Sequence, residues 1–388
     1  MSEIREADVL VGGLGAVGAS IVRGLDRLGC SVIGIDRYRP PHEMGSSHGL
    51  ARITREFVGE GAEYVPLVRR SHEIWDELER RGARLRERTG LLYLSRRDGA
   101  APRHHAADFL EATRTVARAA GVELPVLDAR ALRAGWPQFD VPDDAVGCLE
   151  PEAGFVRPER CLEAVLGDLR DPARSLVFGE TILEVSEDAG RVRVRTDQAT
   201  YRARRVVLAI GAWTPDFVGG AFRRDLTVLR QAQYWFELTD PGLWRAAPTF
   251  LWFHGDGPAD VFYGFPSDDG VSLKVATEQY QTPCDPDDCD RTVSPDEAAT
   301  LFETHVRGRL NGVGPALKRA AACLYTFNGH PGREGRFMIG PHPAVPGVTV
   351  VSACSGHGFK HAAGLGEAVA AEVLGETPFC DLSAFAVG

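Results

Sequence analysis

The stretch "ADVLVGGLGAVGASIVRGLDRLGCSVIGID" opens on an apolar run at Val9 to Val11, passes through a glycine turn into helical spacing, and closes on a second apolar run at Val32 to Ile35. That succession predicts a strand, a tight turn, a helix and a second strand, one right-handed βαβ unit. Leu67, Ile74, Trp75 and Leu78 recur on one helical face and predict a helix over Tyr64 to Arg81; another is expected over Ala107 to Ala120. "RVRVRTD" alternates and "YRARRVVLAIGAW" turns fully apolar, so an exposed hairpin strand should lead into a buried parallel strand at Val206 to Ile210. Between residues 226 and 276 the apolar positions become aromatic, as in "AQYWFEL", "TFLWFH" and "VFYGFP", which predicts a second, largely antiparallel layer. "SPDEAATLFETHVRGRL" should begin a helix on a capping box, with Ser294 as N-cap, Pro295 in the first turn and Glu297 three residues on. "GVTVVSACSGHGFKHAAGLGEAVAAEVLG" returns to the opening pattern, with a buried strand, a glycine loop and a long helix ending at Gly375. The nucleotide domain is therefore expected to be assembled from separate stretches.

Composition narrows the class. With 388 residues, 44% hydrophobic and 25% charged, the chain reads as a soluble globular protein with two domains as the default. Lys plus Arg number 44 against 54 Asp plus Glu, a net charge of −10, and no basic run marks a nucleic-acid footprint, so a small-molecule partner is expected. No apolar segment approaches the roughly 20 residues of a membrane span. Glu3, Glu6 and Asp8 are unlike the basic start of a secretory signal, which predicts a cytoplasmic location. The eight cysteines show no paired CxxC spacing and no nearby histidine pairs, so no metal site is expected. Cys284 and Cys289 frame "DPDD" in what reads as a solvent loop.

Gly13, Gly15 and Gly18 form GxGxxG between a strand and a helix, and Asp36 ends the second strand where a ribose hydroxyl would be bound. The pattern predicts a dinucleotide whose pyrophosphate sits at the helix N-terminus. A second fingerprint is missing, since "GVG" at 312–314 lacks the third glycine, so one nucleotide is the whole complement. The strand ending in Gly211, Ala212 and Trp213 suits a second backbone approach to it. In "GSSHGLARITR" Ser46 and Ser47 are placed to reach the pyrophosphate, and Arg52 and Arg55 would share a face if the segment were helical; a solvated basic loop is the alternative. Cys323 in "AACLYTF" reads as a core thiol or as a point of attachment. Lys360 stands at the start of the last helix, opposed by the macrodipole unless an anion lies nearby. Lys274 in "VSLKV" reads by itself as part of a solvated strand face.

Taken together, GxGxxG with its acidic second strand, "PPHEMGSSHGLARITR", "GEGAEYVPLVRRSHEIWDELE", "FYGFPSDDGVSLK", "CLYT" and "SGHGFK" resemble the monomeric sarcosine oxidase and N-methyltryptophan oxidase family from residue 8 to about 375. The resemblance implies an α/β fold: a glutathione-reductase-like FAD domain (1–88, 152–216 and 330–388) and an α+β substrate domain on a mixed sheet (89–151 and 217–329). It implies FAD joined through the Cys323 sulfur to the flavin 8α-methyl carbon, with His48, Ile182 and Phe359 completing the cofactor set. Arg55 and Lys360 would bind the substrate carboxylate, and Gly356 and Gly358 would expose N–H groups toward negative charge on the reduced flavin. Lys274 would promote reaction with oxygen, and Tyr263 and Tyr325 would line the pocket.

The implied activity is oxidation of a secondary, N-substituted amino acid to an imine that hydrolyses, with O2 reduced to hydrogen peroxide, by a monomer or small homo-oligomer. A dehydrogenase of the same fold, or an idle flavin-binding protein, fits the same motifs. Two departures point away from plain sarcosine, toward an N-alkylglycine with a longer or polar substituent. Glu278 stands where the family's sarcosine oxidases carry a pocket histidine, with a solvent-facing glutamate as the alternative reading. The run "TFNGHPGREGRFMIG", with Arg333, is also longer than the family's usual one.

Overall fold

The computed structural model describes residues 4–99 and 108–387. Two eight-stranded sheets carry the fold. In the first, Arg5–Gly12 runs parallel to Val32–Asp36 on one side and to Thr200–Leu208 on the other. Leu176–Phe178 extends the Val32 edge. The hairpin Ile182–Asp188 and Arg191–Thr196, then Val348–Ser352, pair along the far side of Thr200–Leu208, and Met338–Pro341 lies outside Val348–Ser352. Val9, Leu10 and Val11 are at most 1% exposed: Val9 and Val11 pack with residues of the helices Ala16–Arg27 and Ala362–Val373, and Leu10 clusters with Val192, Val194, Val218 and Phe222. Helix Ala16–Arg27 buries Ile21, Val22 and Leu25 in one cluster with Leu365 and Val369 of helix Ala362–Val373.

The second sheet runs Val313–Asn328, Leu226–Leu238, Ser272–Ala276, Val261–Gly264, Thr249–Phe253, Leu91–Arg96, Ala145–Glu150 and Leu127–Asp128. It is antiparallel except where Thr249–Phe253 meets Leu91–Arg96, so the sheet is mixed. A third, three-stranded sheet joins Arg52–Thr54, Gly154–Val156 and Arg86–Glu87.

The pattern-based expectations hold for the βαβ unit, the helix Val65–Glu79 and the antiparallel layer. Ala107, the expected start of the next helix, lies outside the described residues; the helix spans Phe109–Ala119, with the Asp108 carboxylate accepting the Glu111 N–H at 3.1 Å. The strand expected to reach Ile210 ends at Leu208, because Gly211–Trp213 turns as a 3₁₀ helix. Half of the expected capping box forms: Ser294 accepts the Glu297 N–H at 3.1 Å, but the Glu297 carboxylate is taken by Arg230 at 2.8 Å and by the Tyr234 hydroxyl at 3.2 Å. That helix is α only over Pro295–Leu301 and continues as a π turn over Phe302–Val306. No described helix is long and apolar enough to cross a membrane.

Candidate active site

The glycine fingerprint is built for close backbone approach. Gly13 has φ +84°, and a Cβ there would fall 2.4 Å from the Ala209 carbonyl oxygen. A Cβ on Gly18 would fall 1.9 Å from the Gly13 oxygen, so any side chain would push the helix off the strand. Asp36 accepts the N–H of Leu14 at 2.6 Å and of Tyr38 at 2.8 Å, which ties the second strand to the glycine turn. Burial pushes its carboxyl up, opposed by these two bonds and by His42, whose ring nitrogen is 3.8 Å away. Ser47 accepts the Ala16 N–H at 3.0 Å, and the Ser46 hydroxyl donates to the Leu324 carbonyl.

These groups border a cavity of about 560 Å³. Gly13, Gly15, Asp36, Ser46 and Ser47 line one part of it. Ile182, Gly211 and Trp213 line another, with Arg52, Tyr325, Gly356, Gly358 and Phe359 completing the set that the motifs singled out. Gly18, His48 and Cys323 are not among the lining residues. His48 is 2% exposed and neither ring nitrogen has a hydrogen-bond partner among the described residues. Burial, with the charges of Arg52 and Lys274, lowers its pKa to about 3. Motif reading missed Arg37, Glu180, Cys354 and the Asp285–Asp287 stretch, all of which line the cavity. The loop read as solvent-facing therefore forms part of the wall, with Pro286 buried.

A second cavity, of about 50 Å³, shares Arg52, Tyr325, Gly356 and Phe359 with the first and adds Arg55, Tyr263, Glu278 and Lys360. Arg52 and Arg55 come together here although Arg52–Thr54 is a strand and not the helical turn their spacing would need. Arg55 is buried and donates to both oxygens of Glu60, at 2.8 and 2.9 Å, and to the Tyr93 hydroxyl at 3.3 Å. Burial opposes its charge, yet Glu60 and Tyr93 raise its pKa above the ordinary value. Lys360 precedes the α-helix, in the 3₁₀ turn Phe359–His361, and its Nζ donates to the His357 carbonyl at 2.8 Å.

Glu278 is 7% exposed and accepts the Tyr280 hydroxyl at 2.6 Å, which corrects the solvent-facing alternative. The Tyr263 and Tyr325 hydroxyls lie 3.4 Å apart, and burial raises both phenols. Lys274 is not on a solvated face either: it is 4% exposed, donates to the carbonyls of Gly49 and Ala51 at 2.6 and 2.8 Å, and sits over the rings of Trp235 and Phe265. Burial and then Arg52 hold its pKa well below the lysine range. It borders neither cavity. Cys323, 2% exposed, lies opposite Gln231 in the sheet and packs with Leu229, Tyr325 and Cys354. Burial raises its thiol, and Arg52 and Lys274 oppose that shift.

A cradle that excludes side chains at Gly13 and Gly18, a buried acid at the second strand and a half-buried cation, Arg52, shared by both cavities fit an elongated anionic dinucleotide. Among the described residues no group of three or more His, Cys, Asp or Glu side chains is placed to hold a metal ion. The model of the FAD dependent oxidoreductase family matches residues 8–372, and the chain belongs to that family. Within it, the chain is 34% identical over 372 residues to the monomeric sarcosine oxidase of Streptomyces avermitilis, covering 94% of this chain and 92% of that one. It is 31% identical to the N-methyl-L-tryptophan oxidase of Salmonella agona, with 97% of each chain covered. In fold it is similar to NikD, described as an unusual amino acid oxidase essential for nikkomycin biosynthesis, in its open form, with a TM-score of 0.84, 24% identity and coverage of 98% and 97%. Glycine oxidase from Geobacillus kaustophilus shares the fold at a TM-score of 0.72 and 20% identity, with 99% of each chain covered.

Proposed function

We propose that the protein is an FAD-dependent oxidase of a secondary, N-substituted amino acid, whose carboxylate is held by Arg55 and Lys360. The observation that carries this reading is one small buried cavity, continuous in lining with the dinucleotide cavity, bordered by Arg52, Arg55 and Lys360 and by the carboxylate of Glu278. The two curated relatives support the same class of substrate, since both are named for oxidation of N-methyl amino acids. FAD, when bound by the Gly13–Gly18 cradle and Asp36, would supply the hydride acceptor for the carbon beside the substrate nitrogen and the electron carrier to O2.

The side chains account for the rest. Arg55 is fixed by Glu60 and Tyr93, and Lys360 by the His357 carbonyl, so the two cations are oriented before a carboxylate arrives. Tyr263 and Tyr325, with raised pKa values, remain protonated hydroxyls at neutral pH and serve as hydrogen-bonding walls. The backbone N–H groups of Gly356 and Gly358, ahead of helix Ala362–Val373, suit developing negative charge. Lys274 is assigned to the oxygen step and Cys323 to a covalent tether to the flavin. Glu278 would accept hydrogen bonds from a donor-bearing substituent, which favours an N-alkylglycine with a polar or longer arm over plain sarcosine. This reading divides the chain into an FAD-binding part (1–88, 152–216 and 330–388) and a substrate part (89–151 and 217–329). Sheet membership supports the division, because every strand of the first and third sheets falls in the first set.

The test is anaerobic bleaching of the bound flavin by sarcosine, N-methyltryptophan, pipecolate, glycine and bulkier N-alkylglycines. Bleaching by secondary amino acids, followed by rapid recovery in air with peroxide release, is the expected result. A yellow protein that none of them reduces would sink the reading, and fast dye reduction with sluggish recovery in air would identify a dehydrogenase.

A further inference from the structure

Two thiols flank a turn that crosses the dinucleotide cavity. The Asp288 N–H donates to the Asp285 carbonyl at 3.2 Å, closing a four-residue turn, and the Asp287 N–H donates to the Asp285 carboxylate at 2.8 Å. Cys284 and Cys289 are the next residue on either side. A turn of this kind holds its first and fourth Cα atoms within about 7 Å, so the chain on either side of it leaves with the two cysteines close together. Both thiols are half-buried and pack against one cluster of Ala212, Val228 and Leu324.

The turn is a strap between the two halves of the molecule. Its base is held on the strand Leu226–Leu238: the Cys284 N–H donates to the Val228 carbonyl at 3.0 Å, and Arg230 grips the carbonyls of Asp290 at 2.7 Å and Thr292 at 2.6 Å. Its tip reaches the nucleotide side, where the Asp287 carboxylate accepts from Arg37 at 2.5 Å and from the Trp213 indole at 2.9 Å. Asp285, Pro286 and Asp287 line the cavity itself.

We propose that Cys284 and Cys289 are a peroxide-oxidisable pair whose disulfide staples this turn across the dinucleotide cavity and slows loss of the nucleotide. Burial, then Cys289 itself, pushes the Cys284 thiol up to about 12, which suits Cys284 to the resolving role and leaves the first attack to Cys289. The Cys289 thiolate attacks hydrogen peroxide: an S–O bond forms, the O–O bond breaks, and the departing hydroxide is protonated to water. The Cys284 sulfur, giving up its proton, attacks the sulfenic sulfur: the S–S bond forms, the S–O bond breaks, and a second water leaves. Two thiols are oxidised to one disulfide, and one peroxide is reduced to two waters. The supply of peroxide by the enzyme itself rests on the oxidase reading, so the test uses added hydrogen peroxide and the two ideas fail separately.

Holoenzyme is treated with hydrogen peroxide, alkylated and mapped without reduction. The expected result is a Cys284–Cys289 linked peptide that dithiothreitol reverses and that neither Cys284→Ser nor Cys289→Ser forms. FAD release by dialysis is followed in a Cys323→Ser background, so that the proposed tether does not hold the nucleotide. Oxidation should slow it by about fivefold or more. With Cys323 intact, amide exchange at Asp287 and Asp288 should slow on the same treatment. The proposal is overturned if both thiols remain alkylatable after peroxide, if they end as separate sulfinic acids, or if the link forms while release and exchange are unchanged.

Discussion

Arg55 and Glu60 form an ion pair in which one guanidinium nitrogen lies 2.8 and 2.9 Å from the two carboxylate oxygens, with side chains only 3% and 2% exposed. Removing one partner of such a pair leaves a buried charge without compensation, at a cost of about 3–5 kcal/mol. Glu60→Gln should therefore lower stability by that order in urea unfolding at unchanged m. A carboxylate inhibitor should raise its melting temperature more than it raises the wild type's, because the ligand supplies the missing charge. Arg55→Met should remove this response, weakening the inhibitor by about 1.5–3 kcal/mol. Equal ligand stabilisation of all three proteins would place the carboxylate elsewhere.

The tether makes a visible prediction. Wild-type protein precipitated with acid should keep its yellow colour in the pellet, and Cys323→Ser should lose it to the supernatant. Colour found wholly in the supernatant of the wild type would show that Cys323, 2% exposed, is a packing residue only.

Lys274→Met should slow reoxidation of the reduced flavin far more than reduction by substrate, because the amino group fixed on the Gly49 and Ala51 carbonyls would, in its protonated form, stabilise the charge formed as an electron passes to oxygen. Stopped-flow measurement of each half-reaction decides it. Equal slowing of both would mean that the ammonium mainly ties Gly49 and Ala51 to the sheet.

Glu278→Gln should leave oxidation of sarcosine little changed while reducing kcat/KM for an N-alkylglycine with a distal amine by roughly tenfold, the worth of a charge-assisted hydrogen bond. If sarcosine is the best substrate of the wild type, Glu278 carries no such specificity.

The His254 and His305 rings meet at 2.9 Å beside Phe262, Arg309 and Asp260. Burial first, then Arg309 for His254 and His254 for His305, lowers both pKa values from 6.5 to about 4. Between these values the unfolded chain binds protons that the folded one refuses, so this contribution to stability is intact above pH 6.5 and falls as the pH drops toward 4. His305→Gln should flatten the fall in melting temperature over that window. An unchanged slope would assign acid lability to other groups.

What was legible in the sequence was local. The glycine fingerprint, the helix Val65–Glu79 and the aromatic strands announce themselves through spacings of a few residues, which hydrophobic periodicity reports directly. The strand that places Arg52 beside Arg55 was not legible, because three residues are too few to establish a period. Glu60 lies five residues past Arg55, yet nothing in its own neighbourhood marks it as buried. Burial of Lys274 and Glu278 follows from packing of the sheet against the 49–51 loop and Tyr325, contacts set by tertiary structure. The strap was hidden for the same reason: Asp287 finds Arg37 across 250 positions.

The wall of the dinucleotide cavity that holds Ser352, Cys354 and Gly356 comes from the final stretch of the chain. A ribosome therefore displays the glycine cradle long before it releases the strand Val348–Ser352, which must pair with Thr200–Leu208 across more than a hundred intervening residues. Such non-local closure is slow and comes late. The nascent protein thus has no complete pocket to offer until that strand has emerged and paired, and nucleotide capture waits for it. A chain stopped short of residue 348 should carry the fingerprint at full length yet emerge colourless.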